Sequence, residues 1–283
     1  MAHATAYRIY EMEFRHLYHG EVSLANHMIW FEPWTDVDVE LAELTIQNCA
    51  GRYSHPIFSK EGGWPPTIEK VLNEVSKERG YPRSCLPAFT PKEIEFVKGT
   101  YDFFAMNHYT SRIVRKAQAG EAFRPWPLGD IPDLKAVTGR LPEWTPGTSF
   151  WFFVNPAGIR KQLVWLKKNY GDIRFMITEN GMSTYAGLED YDRIDYYQSY
   201  LQQVLLAIKE DGVNVTHYTA WTLLDNFEWM DGYNVKYGLY EVDFKDPKRT
   251  RTPRASARYY ASIIENHFLN VTKSGTKSNN EDL

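Results

Sequence analysis

Ile173-Arg-Phe-Met-Ile-Thr-Glu-Asn-Gly181 drives an alternating apolar run into a carboxylate, Glu179, and then into an Asn-Gly pair that reads as a turn. One acidic side chain is thereby set at the open end of a β-strand. In α/β proteins the carboxyl ends of strands are where chemistry is held. Glu179 is therefore a candidate base, metal ligand or nucleophile. Taken alone, a Glu after a strand is more commonly a solvated loop residue, so its partners decide.

Around this strand, helical and extended patterns alternate. Pro156 opens a helix with Ile159, Leu163, Leu166 and Tyr170 on one face, and Gly171 ends it. After Gly181 a second helix carries Ile194, Tyr197, Leu201, Val204 and Ile208 and stops at Gly212. A strand from Val213 to Thr222 runs into Leu-Leu-Asp-Asn-Phe-Glu-Trp229, and a final helix starts at Thr252-Pro253. Upstream, Tyr101-Asp-Phe-Phe-Ala-Met-Asn-His-Tyr109 is an apolar strand that turns polar only at its end. The forty-odd residues after it, rich in Pro, Gly and Trp, show no period and predict a long functional loop.

At the start of the chain, Tyr7, Tyr10, Phe14 and Leu17 recur at helical spacing with Gly20 as a stop, and a strand is expected from about Glu21 to Ile29. Thr35 caps a helix running through Val39 and Leu44. Glu61-Gly-Gly-Trp-Pro-Pro66 breaks the chain before a helical stretch that ends near Gly80, and Thr90-Pro-Lys-Glu93 reads as a capping box. Four strands each followed by helix predict a parallel sheet. Three of them finish in polar or aromatic residues, as at the top of a β/α barrel, although a barrel needs eight strands. Residues 1–272 read as one domain, and the polar tail 273–283 as disordered.

Composition narrows the function. A net charge of -4 supplies no basic field for nucleic acid, and no apolar run is long enough to span a bilayer. Aromatic residues make up 15% of the chain, with nine Trp and nineteen Tyr; platforms of this kind suit the apolar faces of sugars as well as a core. Cys49 and Cys85 lack metal-site spacing and leave a bridge or two free thiols equally open. No leader is visible at Met1. The sequons at Asn214 and Asn270 and the terminal Asn-Glu-Asp-Leu lean weakly toward secretion or the endoplasmic-reticulum lumen, although Asn214 falls in an expected buried strand.

Two further groups could join Glu179. In Trp221-Thr-Leu-Leu-Asp-Asn-Phe-Glu-Trp229 two indoles flank Glu228. A carboxylate accepts bonds from vicinal hydroxyls and an indole covers the C–H face of a pyranose, while the plainer reading has core tryptophans and an ion-paired Glu. Asn107 and Tyr109 share one face of their strand. The amide can hold a hydroxyl and the phenol can bond a carboxylate, or both can simply cap the strand. His108 faces the other way and reads as a packed or surface histidine. None of the eight histidines shows ligand spacing with another His or Cys on one helix face, so no metal is expected.

Ile177-Thr-Glu-Asn-Gly181, Asp102-Phe-Phe-Ala-Met-Asn-His-Tyr-Thr110 and Trp221 to Trp229, in this order and spacing, resemble glycoside hydrolase family 1, which includes β-glucosidases, lactase and myrosinases. Tyr237-Gly-Leu-Tyr-Glu-Val-Asp-Phe244 and Arg251-Thr-Pro-Arg-Ala-Ser-Ala257 match its closing segment, and the similarity runs from Ala2 to about Phe268. The resemblance implies a retaining β-glycosidase on a (β/α)8 TIM barrel, acting on a β-glycoside or oligosaccharide without a cofactor. Glu179 then matches the nucleophile and Tyr109 the residue that orients it. Asn107, Trp221, Glu228 and Trp229 match glycone contacts, Trp151 shapes the aglycone site, and Tyr237 stands where the family often has Phe. Departures occur at Ala105 and His108, near Gly51, and in Glu61-Gly-Gly-Trp-Pro.

Retaining hydrolysis uses two carboxyl groups about 5 to 5.5 Å apart. The family's acid/base lies in an Asn-Glu-Pro motif after the fourth strand, and this sequence contains none. The segment that follows that motif in the family matches from Ala2. The chain thus looks like strands five to eight of an eight-stranded barrel. Three readings follow: an incomplete record of an active β-glycosidase, a truncated glycan-binding or interaction protein, or a pair of copies associating through open barrel edges.

Overall fold

The computed structural model describes residues 1–125 and 129–269. The polar tail 273–283 and the Asn270 sequon lie outside the described residues. Seven strands are described: β1 (Ala25–Pro33), β2 (Phe104–Lys116), β3 (Ala136–Gly139), β4 (Phe175–Asn180), β5 (Val215–Ala220), β6 (Tyr240–Val242) and β7 (Arg251–Pro253). The frame is a sheet in the order β1-β2-β4-β5 with every neighbouring pair parallel. β3 adds antiparallel to the far end of β2, and β6 and β7 form a separate ribbon. Parallel strands in chain order, with helices in each crossover, make this part of a (β/α)8 barrel.

The helices are α1 (Ala2–Ile9), α2 (Arg15–Tyr18), α3 (Val39–Ile46), α4 (Arg52–Phe58), α5 (Pro66–Glu78), α6 (Pro91–Val97), α7 (Ala157–Tyr170), α8 (Tyr191–Lys209) and α9 (Ala255–Asn266). Their limits follow local chemistry. Thr90 accepts from the Glu93 amide at 3.3 Å while Glu93 accepts from the Thr90 amide at 2.8 Å, closing the expected capping box. Thr35 and Asp38 form another. Gly171 ends α7 at φ +90°, a conformation open to glycine. On α7, Ile159, Leu163 and Leu166 are fully buried; with Phe104, Phe175, Ile177 and Tyr196, Tyr197 and Tyr200 of α8 they form the main core. Burying each such side chain stabilises the fold by about 1.5–3 kcal/mol.

Several boundaries differ from the sequence reading. β1 starts at Ala25 rather than Glu21, because Asp102 accepts from the Val22 amide at 2.7 Å and Ser23 donates to the Phe103 carbonyl. β2 continues to Lys116, since β1 and β3 both pair with its polar second half. The aperiodic stretch after it holds β3, four residues and too short to display alternation. Tyr7 is buried, but Phe14 and Leu17 are exposed. A π-helical turn at Tyr10–Phe14 separates α1 from α2 and rotates the later residues off the inward face. Asn214 is exposed in the loop before β5, and β5 itself exposes Thr216, His217 and Thr219.

Candidate active site

Strict alternation along β4 would put Glu179 on the same side as Phe175 and Ile177, both fully buried among core residues. The register prevents this. Met106 pairs with Ile177 but Asn107 pairs with Glu179, so Thr178 is an extra residue in β4. Such a bulge re-aims the side chains that follow it. Glu179 lines the cavity, and Asn180 takes the buried side. There the Asn180 amide donates to the His108 carbonyl at 2.6 Å and to Tyr196 Oη at 2.8 Å, and accepts from Tyr218 Oη at 2.6 Å. Asn180 thus ties the end of β4 to the middle of β2.

β2 contributes the groups nearest Glu179. Tyr109 Oη donates to Glu179 Oε2 at 2.6 Å. Burial, reinforced by this bond and by the Glu179 charge, holds the phenol far above its ordinary value, so Tyr109 remains a neutral donor. Thr178 Oγ1 donates to Asn107 Oδ1 at 2.5 Å, which fixes the Asn107 amide beside Glu179. His108 is fully buried, its Nδ1 within 2.6 Å of Gln162 Oε1 on α7. It lies on the packed side, in keeping with its position in the strand.

The third wall is the segment from Trp221 to Tyr237. A Cβ on Gly181 would sit 1.9 Å from the Trp221 carbonyl oxygen, so glycine is needed there for close approach, and Gly181 is not among the positive-φ glycines. Beyond it, Asp225 holds the segment in shape. Its carboxylate accepts from the Gly238 and Val242 amides and from both terminal nitrogens of Arg254, at 3.0 and 2.9 Å. Arg193 donates to the Gly238 and Lys236 carbonyls and pairs with Asp190 at 2.6 Å. Within this frame Trp221 Nε1 donates to Glu228 Oε1 at 3.3 Å. Burial raises the Glu228 pKa, and the Glu179 charge adds to that; the bonds from Trp221 and Asn226 act against it. Trp229 is 84% exposed at the rim. Tyr237 and Trp151 both meet Tyr109 edge-on, at 6.1 and 6.2 Å between ring centroids.

Asn107, Tyr109, Trp151, Glu179, Trp221, Glu228, Trp229 and Tyr237 all line one cavity of about 690 Å³. Sequence reading did not single out His27, Arg112, Asn226 or Asp231, which line it too. Arg112 gave no signal, because it falls in the polar second half of β2, beyond the apolar run that ends at Tyr109. Asn180 and Asp225 were passed over because their roles depend on partners distant in sequence. The wall combines carboxylates, an amide, a neutral phenol and indoles, the set of groups that recognises vicinal hydroxyls and a flat apolar ring. Among the described residues no cluster of His, Cys, Asp or Glu is arranged to hold a metal ion.

Comparison with known proteins shows the family. The family model for glycosyl hydrolase family 1 matches residues 1–268. Myrosinase 1 of Brevicoryne brassicae is 40% identical over 269 residues, covering 93% of this chain and 56% of the relative. The cytosolic beta-glucosidase of Homo sapiens is 38% identical over 275 residues, covering 95% and 57%. Among solved structures, an aphid myrosinase superposes with a TM-score of 0.84 at 39% identity, covering 93% of this chain and 56% of that one. A rice β-glucosidase does so at 0.79 and 31%, covering 93% and 55%. The chain therefore spans little more than half the length of these relatives. With a family model matched over residues 1–268 and relatives of up to 40% identity, the chain belongs to glycosyl hydrolase family 1.

Proposed function

We propose that the cavity is the glycone site of a retaining β-glycosidase, β-glucosidase-like in its chemistry, with Glu179 as nucleophile. The observation that carries the reading is the 2.6 Å bond from neutral Tyr109 to Glu179 at the end of β4. A phenol in that position holds one carboxylate oxygen and leaves the other to attack. Glu179 would add to the anomeric carbon as the glycosidic C–O bond breaks and its electron pair leaves with the aglycone oxygen. Water would then cleave the glycosyl ester and restore the carboxylate. Glu228, Trp221 and Trp229 would hold the sugar hydroxyls and face, with Asn107 and Tyr237 beside the ring and Trp151 toward the aglycone.

Protonation of the leaving oxygen needs a second group, worth about 10²- to 10⁴-fold. The sequence holds no Asn-Glu-Pro, which favours a second reading for the 283-residue chain by itself: sugar binding with little turnover of unactivated glycosides. A substrate whose leaving group needs no proton separates the two. Incubation with 2,4-dinitrophenyl 2-deoxy-2-fluoro-β-D-glucoside, followed by peptide mass spectrometry, is expected to place one fluoroglucosyl group on Glu179. A label on another residue would refute the nucleophile assignment. Saturable sugar binding with no label would favour the binder.

A further inference from the structure

Arg112 is 3% exposed, lines the Glu179 cavity and forms no ion pair among the described residues. Its Nη1 donates to Thr110 Oγ1 at 3.1 Å and to the Ser111 carbonyl at 3.0 Å, and its Nη2 donates to the Trp151 carbonyl. A guanidinium has five N–H donors. Three of them meet neutral acceptors, leaving Nε–H and one Nη2 hydrogen without a partner among the described residues. The Phe153 ring is 4.9 Å from the Arg112 guanidinium carbon and 5.2 Å from that of Arg140, which likewise has no carboxylate partner among the described residues. Burial, with the nearby Arg124 charge, lowers Arg112 only to about 10, so it stays cationic at neutral pH. A desolvated cation without a counter-ion is costly, and an arriving anion relieves that cost. Arginine is also the side chain best shaped to take an oxyanion through paired N–H bonds.

We propose that Arg112 receives an oxyanionic substituent, such as a carboxylate, on the aglycone of the bound glycoside. The inference rests on the glycoside reading of the cavity. The bond to the Trp151 carbonyl puts the charge on the side assigned to the aglycone, and Arg140 adds positive potential from the surface.

The alternative is that Arg112 only braces Trp151 and Thr110. Calorimetric titration with 4-carboxyphenyl β-D-glucoside and its neutral isostere, 4-carbamoylphenyl β-D-glucoside, distinguishes them. The carboxylate is expected to bind at least about tenfold more tightly. Arg112→Met should abolish the preference, Arg112→Lys should retain part of it, and exposed Arg140→Gln should reduce it while leaving carboxamide affinity unchanged. A bracing role would weaken both ligands equally in Arg112→Met and leave their ratio unaltered, which would overturn the proposal. Equal affinity in the unaltered protein would overturn it without any variant and leave the glycoside reading standing. Failure of both glucosides to bind would instead overturn the glycoside reading, and this one with it.

Discussion

The hydrogen bond between Tyr109 and Glu179 joins residues seventy positions apart in sequence at 2.6 Å. A hydrogen bond to a charged group contributes about 1.5–3 kcal/mol. Tyr109→Phe is therefore expected to slow labelling of Glu179 by about 10- to 100-fold while changing sugar affinity little, as read from inactivation kinetics against a sugar titration. Glu228 supplies a pH signature. Burial lifts its pKa above the ordinary 4.5, so the folded protein keeps this proton to higher pH than the unfolded chain does. Ionisation between the two values then costs stability, which falls as pH rises through that window. Sugar affinity runs the other way if the ionised form binds the hydroxyls, rising through a midpoint above 4.5. Glu228→Gln should flatten both profiles, as checked by binding and unfolding measured across the acidic range. Glu179, Tyr109, Glu228 and the tryptophans were legible in sequence because their motifs keep residue type and spacing together.

At the scale of elements, one bulge and one buried ion network do most to form the site. The bulge at Thr178 turns Glu179 inward, a change of face that alternation does not reveal because the extra residue is defined by its pairing with β2. Asp225 and Arg254, 4% and 0% exposed, clamp the segment that carries Glu228 and Trp229. Asp225→Asn would leave buried Arg254 with only the Glu241 carboxylate, 3.9 Å away and partly exposed, and is expected to cost about 3 kcal/mol of stability. Denaturant unfolding measures this directly. A loss below about 1 kcal/mol would mean that the Gly187 and Gly238 carbonyls hold Arg254 by themselves. The sequence displayed Asp225 within a motif but not Arg254 as its partner, because the two stand 29 positions apart with a ribbon between them.

For the whole molecule, the sheet ends at β1 on one side and β5 on the other. Neither outer edge has a strand neighbour among the described residues. Unpaired edges recruit other strands, so the chain alone is expected to self-associate with increasing concentration. Sedimentation velocity checks this, and Thr219→Lys on exposed β5 should weaken the association. A concentration-independent monomer would show that these edges are blunted in solution.

The sequence by itself determined the parallel β/α architecture, the helix caps at Thr35 and Thr90, the family and eight of the residues that line the cavity, but not His27, Arg112, Asn226 or Asp231. Each of these rests on local periodicity or on a short motif whose members stay together along the chain. Only the tertiary structure decided that Glu179 faces the cavity and Asn180 the core, that Gly181 makes room for the Trp221 carbonyl, and that Arg112 is buried without a counter-ion among the described residues. Those facts depend on which strand pairs at which register and on which charges meet after folding, and such contacts link residues that no local pattern relates.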